Sequence, residues 1–138
     1  MRAEIYIGID TGVNTGVAIW NAKTQKFEAV ETCKIHRAIE LVGKLHRACP
    51  LMVRVEDARL RKWYGKAGRE RLQGAGSVKR DASIWEDFLN DLGVRHELVA
   101  PASNRTKLDA KTFAKVTGYT GSTNEHSRDA AMLVYGIK

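Results

Sequence analysis

Four side chains that can bind a metal ion or move a proton fall where strands are predicted to end and a helix to begin. Asp10 closes an alternating segment rich in β-forming residues, and Glu56 closes a second apolar segment. His126 and Asp129 are three residues apart, the spacing that places two side chains on one face of a helix. If the two strands are parallel neighbours, both carboxylates emerge at one edge of the sheet, where open α/β sheets place their sites.

Carboxylates and an imidazole that converge on one point repel and desolvate one another unless a cation joins them. Oxygen ligands favour Mg²⁺ or Mn²⁺, and two such ions about 3.5–4 Å apart serve phosphoryl-transfer sites. The set therefore predicts metal-dependent hydrolysis of a phosphodiester. Each residue also has a purely structural explanation: Asp10 as a turn residue, Glu56 as a solvated strand end, and His126 and Asp129 as ordinary residues of a first helical turn. Strand alternation sends Asp57 away from the side that Glu56 faces, so Glu56 is preferred.

The charge of the chain indicates a polyanionic partner. Lys and Arg number 23 against 16 Asp and Glu, a net charge of +7. One segment, residues 59–80, has eight basic residues and one acid, a local excess of seven, interleaved with Trp63 and Tyr64. Planar arginines and stacking rings suit phosphates and bases better than a small neutral substrate. The predicted DNA contacts here are Arg59, Arg61, Lys62, Lys66, Arg69, Arg71, Lys79 and Arg80.

Length and composition predict one domain over residues 1–138, since 43% of the residues are apolar and 28% charged. No apolar run reaches the roughly 20 residues of a membrane-spanning helix. We therefore expect a soluble, cytoplasmic protein without a membrane partner. Cys33 and Cys49 lack metal-binding spacing and are expected to be reduced thiols.

Hydrophobic periodicity predicts the element order β-β-β-α-β-α-β-α-α, an α/β fold with one five-stranded mixed sheet flanked by helices. Three strands form a meander, and a helical crossover makes the fourth parallel to an earlier one. The expected strands cover about 4–10, 17–20, 27–32, 51–56 and 94–99. The expected helices cover about 35–48, 77–92, 109–116 and 125–137.

The motifs resemble those of the RuvC-type Holliday junction resolvases, which belong to the ribonuclease H-like nucleases. The opening Ile7-Gly8-Ile9-Asp10-Thr11-Gly12 is similar to their first strand and turn, although a proline usually follows the aspartate. Val53-Arg54-Val55-Glu56-Asp57 is similar to their fourth strand. The segment from His126 to Leu133 is similar to their closing helix, in which Asp or His precedes Asp by three residues.

The resemblance implies a ribonuclease H-like fold and a crossover junction endodeoxyribonuclease of DNA recombination and repair. Asp10, Glu56, His126 and Asp129 would be the catalytic, metal-binding residues, with two Mg²⁺ ions per site and Mn²⁺ as a substitute. Lys111 and, more loosely, Lys107 match lysines near the DNA. The partners would be four-way junctions and a second copy of the chain in a homodimer, with Trp63 or Tyr64 stacking at the junction. Compared with that family, the basic segment and the short chain suggest a phage form, located in the cytosol of a bacterium or of a phage-infected host.

Three other interpretations stay open. The opening motif also occurs in the actin- and hexokinase-like ATPases, although those need a much longer chain. The protein could be a non-catalytic DNA-binding module of the same fold. It could also be a nuclease of this fold that acts on flaps or on RNA-containing hybrids, which only a panel of substrates separates from junction resolution.

Overall fold

A computed structural model of the chain describes residues 3–60, 68–101 and 108–138, without the side chains of residues 68–75 and 78. It is an α/β structure with a five-stranded mixed sheet flanked by helices, as the sequence predicts. The strands are β1 (Ile5–Asp10), β2 (Asn14–Asn21), β3 (Lys26–Lys34), β4 (Leu51–Glu56) and β5 (Arg95–Val99). The helices are α1 (Ile35–Ala48), α2 (Gly68–Leu92), α3 (Ala110–Thr117) and α4 (Glu125–Met132), and a 3₁₀ turn covers Ala58–Leu60.

The strand order is β3-β2-β1-β4-β5. β1 pairs with β2 and β2 with β3 in antiparallel fashion, whereas β4 is parallel to both β1 and β5. The strands β1, β3, β4 and β5 therefore all end at the same edge of the sheet, which we call the carboxyl edge. This arrangement confirms the predicted meander and the parallel fourth strand, and it brings the ends of β1 and β4 together.

Alternate residues of the strands fill two separate cores. Ile7, Ile9, Val53 and Val55 pack with α1 and α2, where Trp85 is fully buried. The even-numbered positions of β1 and β2, such as Tyr6 and Trp20, pack instead with α3 and α4. Asp10 and Glu56 are also even-numbered, so strand alternation places both of them on the face that α4 covers.

Two predicted helix boundaries are wrong. The second helix begins at Gly68 and not near Ser77, so the glycine-rich stretch before Ser77 is helical. The last helix ends at Met132 and not at Ile137. The backbone carbonyl of Ile137 instead accepts a hydrogen bond from Trp20 Nε1 at 2.7 Å, and Gly136 has a φ of 82°, which a helix does not allow.

In the part of α2 whose side chains are described, one face of the helix contributes to the core. Trp85 and Leu89 are fully buried, so this part of the apolar face of α2 packs in the core. Ile84 and Leu92 are 41% and 36% exposed on the same helix. Among the described residues, no helix combines the length and the apolar character that crossing a membrane would need.

Candidate active site

Asp10 and Glu56 are the last residues of β1 and β4, and they are register partners in the parallel ladder. Neighbouring strands lie about 4.8 Å apart, so the two residues stand side by side at the carboxyl edge. Thr11 Oγ1 donates a hydrogen bond to the backbone carbonyl of Glu56 at 3.3 Å and joins the turn after β1 to the end of β4. The structure thus places the two acidic residues that the sequence singled out in register on neighbouring strands.

Asp57, the neighbour of Glu56, is turned into the protein and is only 1% exposed. The side chain of Arg59 donates to both of its carboxylate oxygens, through Nε at 2.9 Å and Nη2 at 2.7 Å. Arg59 Nη2 also donates to Glu86 of α2 at 2.9 Å. Asp57 therefore serves the packing of α2 against the end of β4, while Glu56 lies on the other face.

The electrostatics of this cluster follow from its hydrogen bonds. Burial alone raises the pKa of Asp57, but the hydrogen bonds from the side chain and backbone N–H of Arg59 outweigh it, and the pKa of Asp57 is lowered. The bonds to Asp57 and Glu86 raise the pKa of Arg59. The sequence predicted Arg59 as a DNA contact, whereas its guanidinium lies between two carboxylates and its charge is compensated there.

His126 joins the site from α4. Its Nδ1 lies 3.1 Å from Oδ2 of Asp10, and the side chain of Asp10 is 15% exposed against 55% for that of His126. The contact links the end of β1 to the first turn of α4 across 116 positions of sequence. An imidazole at this distance can orient the carboxylate and exchange protons with solvent.

Two glycines let α4 lie directly on the sheet. A Cβ atom at Gly16 would collide with the backbone carbonyl of His126, and one at Gly8 would collide with that of Ala130. Gly16 is the register partner of Asp10, so it sets how near the His126 backbone comes to that carboxylate. These glycines are needed for a close approach of two backbones, as is common next to functional sites.

The start of α4 is fixed by its cap. Asn124 Oδ1 accepts from the backbone N–H of Ser127 at 3.0 Å, and Ser127 Oγ accepts from that of Asn124, so the two form a capping box. Thr32 Oγ1 of β3 also donates to Asn124 Oδ1, at 2.7 Å. The first turn of α4, which carries His126, is therefore anchored to the edge of the sheet.

Arg54 is a residue of this region whose role the sequence analysis missed. It lies two residues before Glu56 on the same face, and its Nη1 donates to the backbone carbonyl of Leu133, the C-cap of α4, at 2.6 Å. Its Nε is 3.1 Å from Glu97 Oε2 of β5, but the two atoms do not align as a hydrogen bond. A single arginine inside the apolar run Leu51–Val55 was the available signal.

Asp129 lies one helical turn after His126 and is half-buried beside Ala130, which packs on Gly8. Over residues 3–60, 68–101 and 108–138, no three His, Cys, Asp or Glu side chains are close enough to enclose a metal ion. Mg²⁺ commonly uses only one or two carboxylates and completes its shell with water and substrate phosphate. The adjacent carboxylates of Asp10 and Glu56 fit that requirement.

Several predicted DNA contacts lie outside the described residues: Arg61, Lys62, Trp63, Tyr64, Lys66 and Lys107. The backbone positions of Arg69 and Arg71 are in α2, but their side chains are also outside the description. Lys79 is half-buried and Arg80 exposed on α2. Lys111 is exposed in the first turn of α3, just after Asp109, whose side chain caps that helix.

No family model matches the chain, and no curated protein shows significant similarity to it.

Proposed function

We propose that the protein is a Mg²⁺- or Mn²⁺-dependent endonuclease that cuts branched DNA and resolves Holliday junctions. The observation that carries the proposal is the register pairing of Asp10 with Glu56 at the carboxyl edge, with His126 in contact with Asp10. The element order and the mixed sheet are compatible with the ribonuclease H-like fold that the motifs suggest. The net charge of +7 suits a DNA substrate.

Each residue of the proposed site has a role in hydrolysis. A bound divalent ion supplies positive charge that acidifies water and offsets the charge of the phosphate. Asp10 and Glu56 would hold that ion, and Asp129, one turn from His126, would complete the site. His126 orients the Asp10 carboxylate and exchanges a proton with solvent. The oxygen of water bonds to phosphorus and gives up a proton to solvent, the bond to the leaving sugar oxygen breaks, and that oxygen takes up a proton from solvent.

The proposal includes a homodimer, because paired nicks on a four-way junction need two sites. Ile84 and Leu92 of α2 are partly exposed, so this helix offers apolar surface for an interface with a second copy. Sedimentation of the protein at micromolar concentration tests this part: a mass of twice 15.4 kDa is expected.

The experiment that tests the activity compares an immobile four-way junction with a linear duplex, a flap and an RNA–DNA hybrid. Each is incubated with Mg²⁺ or Mn²⁺ and with wild type, Asp10→Asn or Asp91→Asn. Asp91 is an exposed residue of α2 away from the site, so its variant controls for loss of a carboxylate. Paired nicks near the crossover with wild type and Asp91→Asn, but not with Asp10→Asn, are expected.

The other results discriminate between the alternatives. Preferential cutting of the flap or hybrid would reassign the substrate within the same chemistry. Tight junction binding without cleavage in either metal would establish a non-catalytic module and overturn the proposed activity.

A further inference from the structure

A basic cluster lies at the carboxyl edge, on the β3 side of Asp10. β3 ends at the carboxyl edge with Lys34, and α1 begins there with Ile35, His36 and Arg37. Lys34, His36 and Arg37 are exposed. The sequence analysis placed all charge-based DNA contacts on the other side, where the chain continues from Glu56 into α2.

The position of Lys34 relative to the carboxylates follows from the strand register. Thr32, Gly16, Asp10 and Glu56 form one row across β3, β2, β1 and β4. Lys34 is two residues beyond Thr32 and therefore on the same face of the sheet, farther out along the edge. β3 is two strand spacings from β1, about 10 Å, which corresponds to roughly three nucleotides at about 3.4 Å of rise each.

The charge of Lys34 has no acidic partner among the described residues. Its Nζ donates to the amide oxygen of Asn14 at 3.1 Å, a neutral partner on β2 that holds the ammonium at the carboxyl edge. Arg37 has only a 3.5 Å contact with Glu40, in which both side chains are about 70% exposed. Exposed pairs of this kind compensate little charge.

The stability of α1 does not account for these basic residues. The first turn of α1 contains no acid, and its N-cap, Lys34, makes no side-chain cap hydrogen bond. Positive charges at a helix N-terminus oppose the helix dipole, so this turn is less stable than one with Asp or Ser in the same places. A local positive charge that does not serve folding is instead suited to an anionic partner.

We infer that Lys34, His36 and Arg37 form a second DNA-binding surface, which holds the phosphate backbone of the strand that passes Asp10 and Glu56. The inference rests on the proposed function, because it takes the substrate to be DNA lying across the carboxyl edge. The strand is then held at the β3 end of the carboxyl edge, two strands away from Asp10.

A matched pair of double variants tests the inference. Lys34→Gln with Arg37→Gln removes two charges at the carboxyl edge. Lys23→Gln with Lys26→Gln removes two exposed charges at the opposite edge, where β2 turns into β3. Both lower the net charge from +7 to +5, so non-specific attraction falls equally. Junction binding is measured without divalent metal, by fluorescence anisotropy between 50 and 300 mM salt, and the melting temperature of each variant is compared with wild type.

Each phosphate contact contributes about 0.9 to the slope of log affinity against log salt concentration. We expect the magnitude of this slope to be smaller by roughly two in the Lys34/Arg37 variant and unchanged in the control pair. Equal changes in the two pairs, or none, would overturn the inference. If wild type cuts the junction but the Lys34/Arg37 variant has the slope of wild type, the proposed DNA-binding surface is wrong and the proposed nuclease activity is supported. If the slope is shallower in the Lys34/Arg37 variant but wild type cuts no substrate, the DNA-binding surface is supported and the proposed nuclease activity is wrong.

Discussion

Nδ1 of His126 lies 3.1 Å from Oδ2 of Asp10, so the first turn of the last helix contacts the end of the first strand. The contact depends on Gly16, which leaves room for the backbone of His126, and on the Asn124 cap, which Thr32 fixes to β3. A carboxylate that is already oriented by an imidazole needs less reorganisation to bind a cation.

Replacing His126 should lower cleavage without preventing DNA binding. His126→Ala removes the group that orients Asp10 and exchanges a proton, and we expect a loss of about 10²–10⁴-fold in the cleavage rate. His126→Asp supplies a carboxylate in its place and should retain more activity. The measurement is single-turnover cleavage of a four-way junction, with the Kd determined in EDTA.

His126→Asp also permits a test without catalysis. The new carboxylate lies beside that of Asp10, so the two repel each other until a cation is bound. Mg²⁺ should therefore raise the melting temperature of His126→Asp more than that of wild type. An equal effect of Mg²⁺ on both proteins would contradict a cation at this place.

The neighbours Glu56 and Asp57 should respond to substitution in opposite ways. Glu56→Gln alters a half-buried residue at the sheet edge, and it should abolish cleavage while the free energy of unfolding changes by less than about 1 kcal/mol. Asp57→Asn weakens the pairing with Arg59 and should lower that free energy by about 1–3 kcal/mol. Urea denaturation and a cleavage assay on both variants check this, and a large loss of stability in Glu56→Gln would contradict the assignment of faces.

The lowered pKa of Asp57 predicts how stability depends on pH. The carboxyl group binds its proton less readily in the folded than in the unfolded chain, where its pKa is about 3.9. Its contribution to stability is complete well above pH 3.9 and is lost as the pH falls through the lower, folded value. The difference in unfolding free energy between wild type and Asp57→Asn should therefore be largest near pH 6 and shrink below pH 4. A difference that stays constant from pH 6 to pH 2.5 would argue against this linkage.

The sheet could be predicted from the sequence because the spacing of apolar residues along each strand matches the face that the strand buries. Leu51, Val53 and Val55 face one core, and the alternation between them fixes the side on which Glu56 lies. The beginning of α2 could not be predicted in this way. Residues 68–76 of the sequence are rich in charge and glycine and have no apolar period, which is the signal from which a helix is predicted.

The close packing of α4 was also beyond the sequence analysis. The carboxylates and His126 could be identified by their chemical type, but the role of Gly8 and Gly16 depends on a helix that follows them by more than 100 residues. The end of α4 was predicted too late because Leu133 and Val134 continue its apolar pattern, although Gly136 was a readable stop signal.

Filling the space at Gly16 should separate α4 from the sheet. Gly16→Ala places a methyl group against the backbone carbonyl of His126, and we expect a loss of about 1–3 kcal/mol of unfolding free energy together with reduced cleavage. Gly76→Ala is the matched control, because this glycine lies within α2 with nothing near the added Cβ. It should gain about 0.5–1 kcal/mol, the usual preference of a helix for alanine. Equal stability of the two variants would contradict the close approach of the α4 backbone to Gly16.

Arg54 should stabilise the fold mainly by its hydrogen bond to the carbonyl of Leu133 and less by its ion pair with Glu97. Arg54→Met keeps much of the length of the side chain but leaves that carbonyl without its 2.6 Å donor, a change expected to cost about 1–3 kcal/mol. Glu97→Gln removes only the partner in an ion pair whose side chains are 29% and 55% exposed, and it should cost less than about 1 kcal/mol. Arg54→Lys offers a shorter donor and should fall between the two. The three variants are compared by urea denaturation and by hydrogen exchange of the α4 amides, which should be faster in Arg54→Met alone. Destabilisation by Glu97→Gln as large as that by Arg54→Met would show that the ion pair, and not the end of α4, is what Arg54 stabilises.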